Sequence, residues 1–288
     1  MALNRTVYVN GEYVDEGKAS LSIFDRAVLF ADAVYEVAAV IDGALVDYPA
    51  HQQRLARSLS ELDIPLPVDA ESLLDIHHQL LERNALTEGL IYLQVSRGIA
   101  DRDFVMPSAP KPSLVLFTQA MPLIESAQAK RGLRVISRPD LRWGRRDIKT
   151  TQLLFASLMK TEAVAAGVDD VWLHQNGMIT EATSSNAHII TEAGVLVTRP
   201  LSNEILHGIT RAAVLDYAAE SGVEVEQRAF SLEEAMAARE AFNTSATAFV
   251  TPVIEIDGMP IGTGQPGPAA RRLRELYLLR SRSTHRSI

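Results

Sequence analysis

Short stretches of alternating apolar and polar residues, joined by tight-turn dipeptides, predict several β-hairpins along the chain. TVYVNGEYV alternates about Asn10-Gly11, and VWLHQNGMIT alternates about Asn176-Gly177. Both residues of an Asn-Gly pair tolerate the positive φ of a two-residue hairpin turn. VYEVAAVIDGALVDY and NAHIITEAGVLVT follow a related pattern, so we expect hairpins in these segments as well.

Apolar residues recur at helical spacing in several longer segments. These segments are AHQQRLARSLSELDI, DAESLLDIHHQLLERN, TQLLFASLMKTEAVAAG, GITRAAVLDYAAESG and PAARRLRELYLL. The capping box Ser231-Leu232-Glu233-Glu234 predicts one further short helix. Additional strands are expected in LIYLQVSRG, SLVLFTQ, LRVISR, VEVEQRA, FNTS and FVTPVIEIDG.

The order of these elements indicates an α+β or α/β chain with two domains. Hairpins and helices are mixed rather than in regular βαβ alternation, and 288 residues exceed what one core usually holds. The stretch QAMPLIESAQAKRG has no strong period and is typical of an interdomain link. We therefore expect an N-terminal α/β domain over residues 1–120 and a C-terminal α/β domain over residues 121–288.

The composition indicates which kind of molecule the protein binds. A net charge of −8 and a pI near 5.4 disfavour nucleic acid and anionic lipid, so small-molecule chemistry is expected. The chain has no cysteine, and neither a signal peptide nor a membrane span is evident, so we expect a cytoplasmic protein. The histidines lack metal-ligand spacing, and no metal is expected. They are His51, His77, His78, His174, His188, His207 and His285.

One segment has the GxGxxG spacing of a dinucleotide motif, at Gly262 to Gly267. We interpret it as a turn. Pro266 and Pro268 remove backbone donors where a pyrophosphate would need them. The chain also ends after one further helix, with no return strand to complete the binding unit.

Lysine is the remaining candidate for covalent chemistry, because the GxSxG and GxxxxGK[ST] motifs are missing. Lys149 follows Arg145, Arg146 and Asp147 and precedes an apolar helix that we interpret as facing the core. Cationic neighbours and partial desolvation favour the neutral amine that a nucleophile needs. A surface lysine is the alternative, and it is the commoner case. The other lysines are interpreted as surface charges: Lys18, Lys111, Lys130 and Lys160.

Six segments together carry a family resemblance: AVYEV, HQQRL, DIKTTQLL, TEATSSN, LHGITR and TPVIEIDG. In this order and with these separations they resemble the D-amino-acid transaminases, which are fold-type IV pyridoxal-phosphate enzymes. The resemblance covers nearly the whole chain. It implies the two-domain fold of that family, pyridoxal 5′-phosphate as the cofactor, an active site between the domains, and a homodimer.

The resemblance also implies roles for individual residues. Lys149 would hold the cofactor as a Schiff base and carry the proton between the substrate Cα and the cofactor C4′. Glu181 would pair with the pyridinium nitrogen, which makes the ring an electron sink. Arg54 would clamp the phosphate together with the backbone of Ile209 and Thr210 at a helix start, although a solvated helix position is the alternative for Arg54. The other expected cofactor contacts are Leu206, Ser185 and Ser245.

The substrate site departs from the family pattern. Tyr35 and Arg102 match two members of the family's carboxylate-binding set, but Phe104 stands where the family has a histidine. Asp101 and Asp103 could compete for the Arg102 guanidinium. The carboxylate site could therefore be rearranged, weaker, or tolerant of amines that lack a carboxylate. The candidates for a substitute contact are Arg142, Arg145 and Arg146.

The expected reaction is transfer of the amine of a D-amino acid, such as D-alanine, to a 2-oxo acid such as 2-oxoglutarate. Alternatives on the same fold are an R-selective amine transaminase, which Phe104 favours, and a branched-chain L-amino-acid transaminase or aminodeoxychorismate lyase, whose substrate motifs match less well. A non-catalytic pyridoxal-phosphate carrier is the alternative of a different class. Retention of both Lys149 and Glu181 argues against a carrier, because storage needs neither proton transfer nor an electron sink.

Overall fold

The chain folds into two compact units, and a short central segment belongs to the first of them. This computed structural model describes residues 5–283, so His285 lies outside the described residues. The first unit comprises Met1–Pro122 and Ile148–Gln152, and the second comprises Leu123–Asp147 and Leu153–Ile288. The Lys149 segment thus groups with the first unit, whereas the sequence analysis assigned it to the domain over residues 121–288.

An antiparallel sheet of six strands forms the centre of the first unit, with strand order β2-β1-β6-β5-β3-β4. The helices α2 and α3 cover it, α2 on β3 and α3 on β1 and β6. The strands are β1 Thr6–Val9, β2 Glu12–Asp15, β3 Ala33–Ile41, β4 Ala44–Leu45, β5 Gly89–Ser96 and β6 Ser113–Ala120. The helices are α1 Arg26–Phe30, α2 Tyr48–Glu61 and α3 Ala70–Arg83, with a 3-10 turn at Glu16–Lys18.

The hairpins predicted from tight-turn dipeptides are confirmed. Asn10 and Gly11 have φ values of 50° and 103°, and Val9 pairs with Glu12 across the turn. Asn176 and Gly177 have φ values of 51° and 78° in the corresponding turn of the second unit. Positive φ at both central residues matches the twist of the flanking strands, which is why this dipeptide is informative.

The Lys149 segment belongs to the first unit because its backbone pairs with the start of β3. The Tyr35 amide donates to the Lys149 carbonyl at 2.9 Å, and the Thr151 amide donates to the Ala33 carbonyl at 3.0 Å. An antiparallel bridge joins Val34 to Thr150. These bonds satisfy backbone groups on one edge of β3, and they fix the position of the lysine backbone.

A mixed sheet forms the second unit, with strand order β12-β11-β10-β13-β14-β7-β8-β9 and β15 attached to β14. Neighbours pair in parallel at β11 and β12, β14 and β7, and β7 and β8. The strands are β7 Leu133–Pro139, β8 Asp170–Gln175, β9 Met178–Ala182, β10 Asn186–Ile190, β11 Leu196–Thr198, β12 Val225–Gln227, β13 Glu240–Ser245, β14 Phe249–Ile256 and β15 Met259–Pro260. The helices are α4 Ala127–Arg131, α5 Leu154–Ala165, α6 Ile209–Glu220, α7 Leu232–Met236 and α8 Pro268–Ser283.

The helix after Lys149 does not face the core with its leucines, so that part of the interpretation was wrong. Helix α5 packs Phe155 and Met159 against the cluster of Ala163, Val171 and Leu173. Its leucines lie on the other side, and Leu154 and Leu158 are 75% and 55% exposed. The sequence pattern could not separate the two faces, because α5 is apolar on both.

No helix within residues 5–283 has the length and apolarity needed to cross a membrane.

The GxGxxG segment forms the turn that leads into α8, as interpreted from the sequence. The carboxylate of Glu240 accepts hydrogen bonds from the amides of Ala269 and Ala270 at the start of this helix, each at 3.0 Å. A Cβ atom on Gly267 would lie 2.0 Å from the Glu240 carboxyl carbon. The helix start is therefore already capped by a carboxyl group of the protein itself.

One histidine of α3 is buried in the first unit and serves the fold. The Nδ1 of His77 lies 2.7 Å from the Leu73 carbonyl, and the ring packs edge-on against Tyr48. Burial lowers the pKa of His77 to about 4, from an ordinary value of 6.5. The adjacent His78 is exposed. Between about pH 4 and pH 6.5, His77 is therefore mainly neutral in the folded protein, whereas the same histidine is mainly protonated in the unfolded chain.

We expect replacement of His77 by Asn to make stability less sensitive to acid. The folded pKa lies below the unfolded one, so stability from a neutral His77 is complete above pH 6.5 and is lost as the pH falls towards 4. From pH 7 to pH 5 this loss amounts to about 2 kcal/mol. The free energy of unfolding of H77N, measured with urea, should not show this loss between pH 7 and pH 5. The control variant H78N should show it. Equal pH dependence in H77N and the parent would contradict this assignment.

Candidate active site

Lys149 lies in the first unit with its amine against an aromatic ring. Its Nζ is 4.1 Å from the ring centroid of Tyr35, and its backbone amide donates to the Ser58 hydroxyl at 3.4 Å. Ser58 is on α2, one turn after Arg54, so both side chains project from the same helix face. The lysine segment therefore runs beside the part of α2 that carries the expected phosphate-binding arginine.

Lys149 differs from the other lysines in its electrostatic surroundings. Within the described chain its amine has no carboxylate at ion-pair distance, and its side chain is only partly exposed. Lys18 pairs with Asp15, Lys130 with Glu125 and Lys160 with Asp170, while Lys111 is exposed. Among the lysines of residues 5–283, Lys149 alone is both partly buried and outside an ion pair, which leaves its amine available for covalent chemistry.

Arg54 is buried in a charged network and is not a solvated helix residue, so the alternative interpretation of this position was wrong. Its Nε and Nη2 donate to the two oxygens of Glu36 at 2.7 and 2.8 Å. The Nδ1 of His51 lies 2.7 Å from the same carboxylate. Burial raises the pKa of Glu36, but Arg54 and His51 more than offset this effect and hold it at about 2. The carboxylate is therefore ionised, and it fixes the plane of the Arg54 guanidinium.

Tyr35 belongs to a stack of three aromatic rings on one face of the first sheet. Its ring lies 5.5 Å from that of Tyr92, which in turn lies 4.7 Å from that of Phe117. Tyr35 faces Gln94 on β5, so its contact with Tyr92 is a diagonal one across neighbouring strands. The stack supports Tyr35 at the position where it contacts the lysine amine.

Glu181 lies on β9 of the second unit as a fully buried carboxylate. Its Oε1 accepts from Arg142 Nη1 at 2.5 Å, and its Oε2 accepts from the Asn186 side chain at 3.0 Å and from the Leu206 amide at 3.1 Å. Burial raises the pKa of Glu181, and Arg142 together with the Leu206 amide opposes that rise. The ionised form depends on these donors, because an isolated buried carboxylate would take up a proton.

Asp140 holds Arg142 in the orientation that reaches Glu181. Arg142 donates to both oxygens of Asp140, at 3.0 and 2.7 Å, and Thr180 donates to the same carboxylate at 2.7 Å. Burial raises the pKa of Asp140, but Arg142 and Thr180 lower it below its ordinary value. Arg142 therefore lies between two carboxylates in a compensated cluster.

The three arginines considered as a substitute substrate contact all have carboxylate neighbours of their own. Arg142 is bound by Asp140 and Glu181, and Arg145 pairs with Asp147 at 3.0 Å. The Nε of Arg146 lies 3.4 Å from Asp140. This arrangement counts against that hypothesis. Arg145 and Arg146, which the sequence analysis invoked as cationic neighbours of Lys149, thus each lie beside a carboxylate.

The start of α6 is uncapped and lies next to the Glu181 cluster. Gly208 is the N-cap and provides no side-chain cap, and Asn186 donates to the Leu206 carbonyl just before it at 2.9 Å. A Cβ atom on Gly208 would lie 2.0 Å from the Asn186 Oδ1. Ile209 and Thr210 form the first turn, so the backbone amides of an anion-binding helix start are present.

The remaining expected contacts lie on loops and strand ends. Ser245, at the end of β13, accepts from the Ala248 amide at 3.2 Å through its hydroxyl. The Ser185 carbonyl accepts from the Ala182 amide at 2.8 Å, and the residue is half-buried beside the end of β9.

The expected substrate residues Arg102 and Phe104 are exposed in the loop between β5 and β6. The competition expected from Asp101 and Asp103 is not seen within residues 5–283, where neither pairs with Arg102.

Sequence reasoning missed the residues that hold the expected site residues in place. Glu36, Ser58 and Asn186 were not singled out, although each lies within or beside a motif that was. Glu36 had a visible signal, since it is a carboxylate inside the apolar strand segment AVYEV. Ser58 had none, because a serine in a helix is usually solvated. No group of His, Asp or Glu side chains in the described part of the chain is arranged to hold a metal ion.

Comparison with known proteins places the chain in a family. The family model for amino-transferase class IV matches residues 33–256. D-alanine aminotransferase from Staphylococcus aureus (strain MSSA476) is 33% identical over 270 residues, which cover 93% of this chain and 95% of that protein. D-alanine aminotransferase from Bacillus licheniformis is 35% identical over 268 residues, with 93% and 94% coverage.

Solved structures of the same architecture include two branched-chain amino acid aminotransferases. The enzyme of the archaeon Thermoproteus uzoniensis, solved with norvaline, superposes with a TM-score of 0.84 at 26% identity and covers 96% of this chain and 94% of that chain. The Escherichia coli enzyme gives a TM-score of 0.86 at 24% identity with 96% and 94% coverage, and at that identity it supports the fold alone.

The chain therefore belongs to the amino-transferase class IV family and has the fold-type IV architecture expected from its sequence. It is an enzyme of the aminotransferase class, and the family uses pyridoxal 5′-phosphate as its cofactor. The alternative of a non-catalytic carrier was wrong.

The donor set of this chain fits that cofactor. A carboxylate offers about four acceptor positions, and three donors reach Glu181, one at Oε1 and two at Oε2. One position at Oε1 remains for the N–H of a protonated ring nitrogen. The uncapped start of α6 suits a phosphate, and Lys149 supplies an amine outside any ion pair.

We expect Arg142→Met to destabilise the second unit by about 3–5 kcal/mol, because the variant leaves the buried carboxylates Asp140 and Glu181 without their shared cation. The control is Arg138→Met, which removes an exposed pair with Glu162 in the same segment and should cost about 0–1 kcal/mol. Urea unfolding at pH 7 measures both. Similar losses in the two variants would show that the buried cluster does not depend on Arg142.

Proposed function

We propose that this enzyme transfers the amine of a D-amino acid to a 2-oxo acid, with D-alanine as the reference donor. The observation that carries the proposal is the 33–35% identity to D-alanine aminotransferases over 93% of the chain. The identity to the two branched-chain enzymes of known structure is 24–26%. The residues that match the motifs of D-amino-acid transaminases support the same choice.

For cofactor binding, we give residues of this chain the roles towards pyridoxal 5′-phosphate that the family resemblance implies. Lys149 would hold it covalently, Glu181 would pair with its ring nitrogen, and Arg54 and the first turn of α6 would bind its phosphate. The fixed guanidinium of Arg54 and the donors around Glu181 support these roles. The residues assigned to surround the ring and phosphate are Leu206, Ile209, Thr210, Ser185 and Ser245.

In the reaction the chain's residues position groups and move one proton. When bound, the cofactor supplies a carbon that accepts the substrate amine and a ring that withdraws electrons from the substrate Cα. Lys149 would carry the proton between that Cα and the C4′ carbon of the cofactor, and its backbone is fixed on β3 so that it approaches from one side. Tyr35 supports the lysine amine, and Arg102 binds the substrate carboxylate.

The assembly that we propose is a homodimer. Each unit exposes apolar side chains of a kind that monomers seldom leave in water, and a second copy of the chain would cover them. In the first unit they are Ile23, Phe24, Val28 and Ile99, and in the second Leu141, Leu154 and Leu158. The cytoplasmic location expected from the sequence stays a prediction.

We expect Lys149→Ala to lose the covalent link to the cofactor while keeping the phosphate contacts. Borohydride reduction of the parent protein should fix the cofactor to the peptide that contains residue 149, as read by mass spectrometry. The control Lys160→Ala removes an exposed lysine paired with Asp170 and should label like the parent. Labelling of Lys160 in the parent would show that the wrong lysine was chosen.

The donor class is tested by the half-reaction of the purified holoenzyme. We expect D-alanine to convert the cofactor spectrum to that of pyridoxamine 5′-phosphate, whereas L-leucine does so slowly or not at all, because one face of the substrate Cα meets Lys149. (R)-1-Phenylethylamine serves as the donor without a carboxylate. Rapid conversion by L-leucine but not D-alanine would contradict the proposed stereochemistry, and a clear preference for the amine would favour an R-selective amine transaminase.

A further inference from the structure

The loop that carries Arg102 is hydrogen-bonded to the first unit through the backbone of Asp103, although its tip is exposed. The buried Arg26 donates from Nη1 to the Asp103 carbonyl at 2.8 Å and from Nε to Asp32 at 2.6 Å. The Asp103 carboxylate accepts from the Val105 amide at 3.0 Å. The backbone is thus fixed on both sides of Phe104, and the carboxylate of Asp103 is engaged in its own turn.

Two aromatic rings lie next to the Arg102 guanidinium. Its central carbon is 5.6 Å from the ring centroid of Phe104 and 5.9 Å from that of Phe30. The two rings contact each other edge to face at 5.7 Å, and the Arg26 guanidinium lies 4.4 Å from the Phe30 centroid. Phe30 ends α1, so it links the exposed loop to the buried Arg26 anchor.

Phe104 therefore contacts the Arg102 guanidinium with the face of its ring, which is a different role from the hydrogen-bonding role of the family's histidine. An aromatic ring attracts a guanidinium through its face and leaves the five N–H donors of the arginine available for other partners. Among residues 5–283 no carboxylate pairs with Arg102. The guanidinium is therefore oriented without being neutralised, which is the state needed to bind an anionic substrate group.

We propose that Phe104 and Phe30 are positioning residues that orient Arg102 for the substrate carboxylate, so that this enzyme is specific for amino acids rather than for simple amines. The inference rests on the proposed transaminase function. A preorganised cation binds a carboxylate without first losing conformational freedom. The loss of the family's histidine is thus compensated by a ring that holds the arginine and does not itself bind the substrate.

The test separates carboxylate binding from chemistry in the holoenzyme. In Phe104→Leu the apolar bulk remains but the aromatic face is lost, and the KM for D-alanine should rise about two- to five-fold with little change in kcat. In Phe104→His a ring remains, and the KM should stay within about twofold of the parent. In Arg102→Gln the KM should rise on the order of tenfold or more. Leu279→Ala, which changes an exposed apolar residue of α8, serves as the control.

The donor (R)-1-phenylethylamine supplies the readout that a general structural defect would change. Its half-reaction should be slower than that of D-alanine in the parent, but its rate and concentration dependence should be the same in the parent, Phe104→Leu and Arg102→Gln, because the amine has no carboxylate to bind. An unchanged KM for D-alanine in Phe104→Leu would overturn this inference and leave the proposed function intact. A parent enzyme that converts the amine and no D-amino acid would overturn both.

Discussion

A carboxylate buried in a protein stays ionised only if donors replace the water it has lost, and this constraint shapes the candidate site residues of both units. In the first unit Glu36 is ionised because Arg54 and His51 surround it. In the second unit Glu181 depends on Arg142, Asn186 and the Leu206 amide. Arg54 and Glu181 are the residues expected to contact the cofactor. Each is held by an oppositely charged partner, Glu36 or Arg142, whose movement would leave a buried charge without compensation.

The same constraint connects the Glu181 cluster to the start of α6. Asn186 donates both to Glu181 and to the carbonyl of Leu206, two residues before the N-cap Gly208. The close approach of Gly208 to Asn186 leaves no room for a side chain at that cap. One amide therefore fixes the position of the acidic group relative to the uncapped helix start.

Sequence reasoning succeeded where local chemistry determined the outcome. Tight turns such as Asn10-Gly11 need positive φ at both positions, and Asn and Gly are the residues that adopt positive φ most readily. The six segments of the family resemblance together indicated the class of enzyme, and the family comparison agrees with them. Reasoning failed at α5, where apolar residues on both faces concealed that Leu154 and Leu158 are exposed. It also failed at Asp101 and Asp103, since nearness in sequence suggested an ion pair with Arg102 that loop geometry does not make.

The sequence by itself determined the hairpins, most of the helices and the residue types available for chemistry, because these depend on neighbours a few positions apart. Its resemblance along nearly the whole chain also indicated the family. Only the tertiary structure decided that the Lys149 segment pairs with β3, that Arg54 is buried against Glu36, and that Phe104 contacts Arg102. Those contacts join residues that are distant in the chain or that share a loop of irregular shape. No periodicity encodes them, since they arise from packing and from the need to satisfy buried charge.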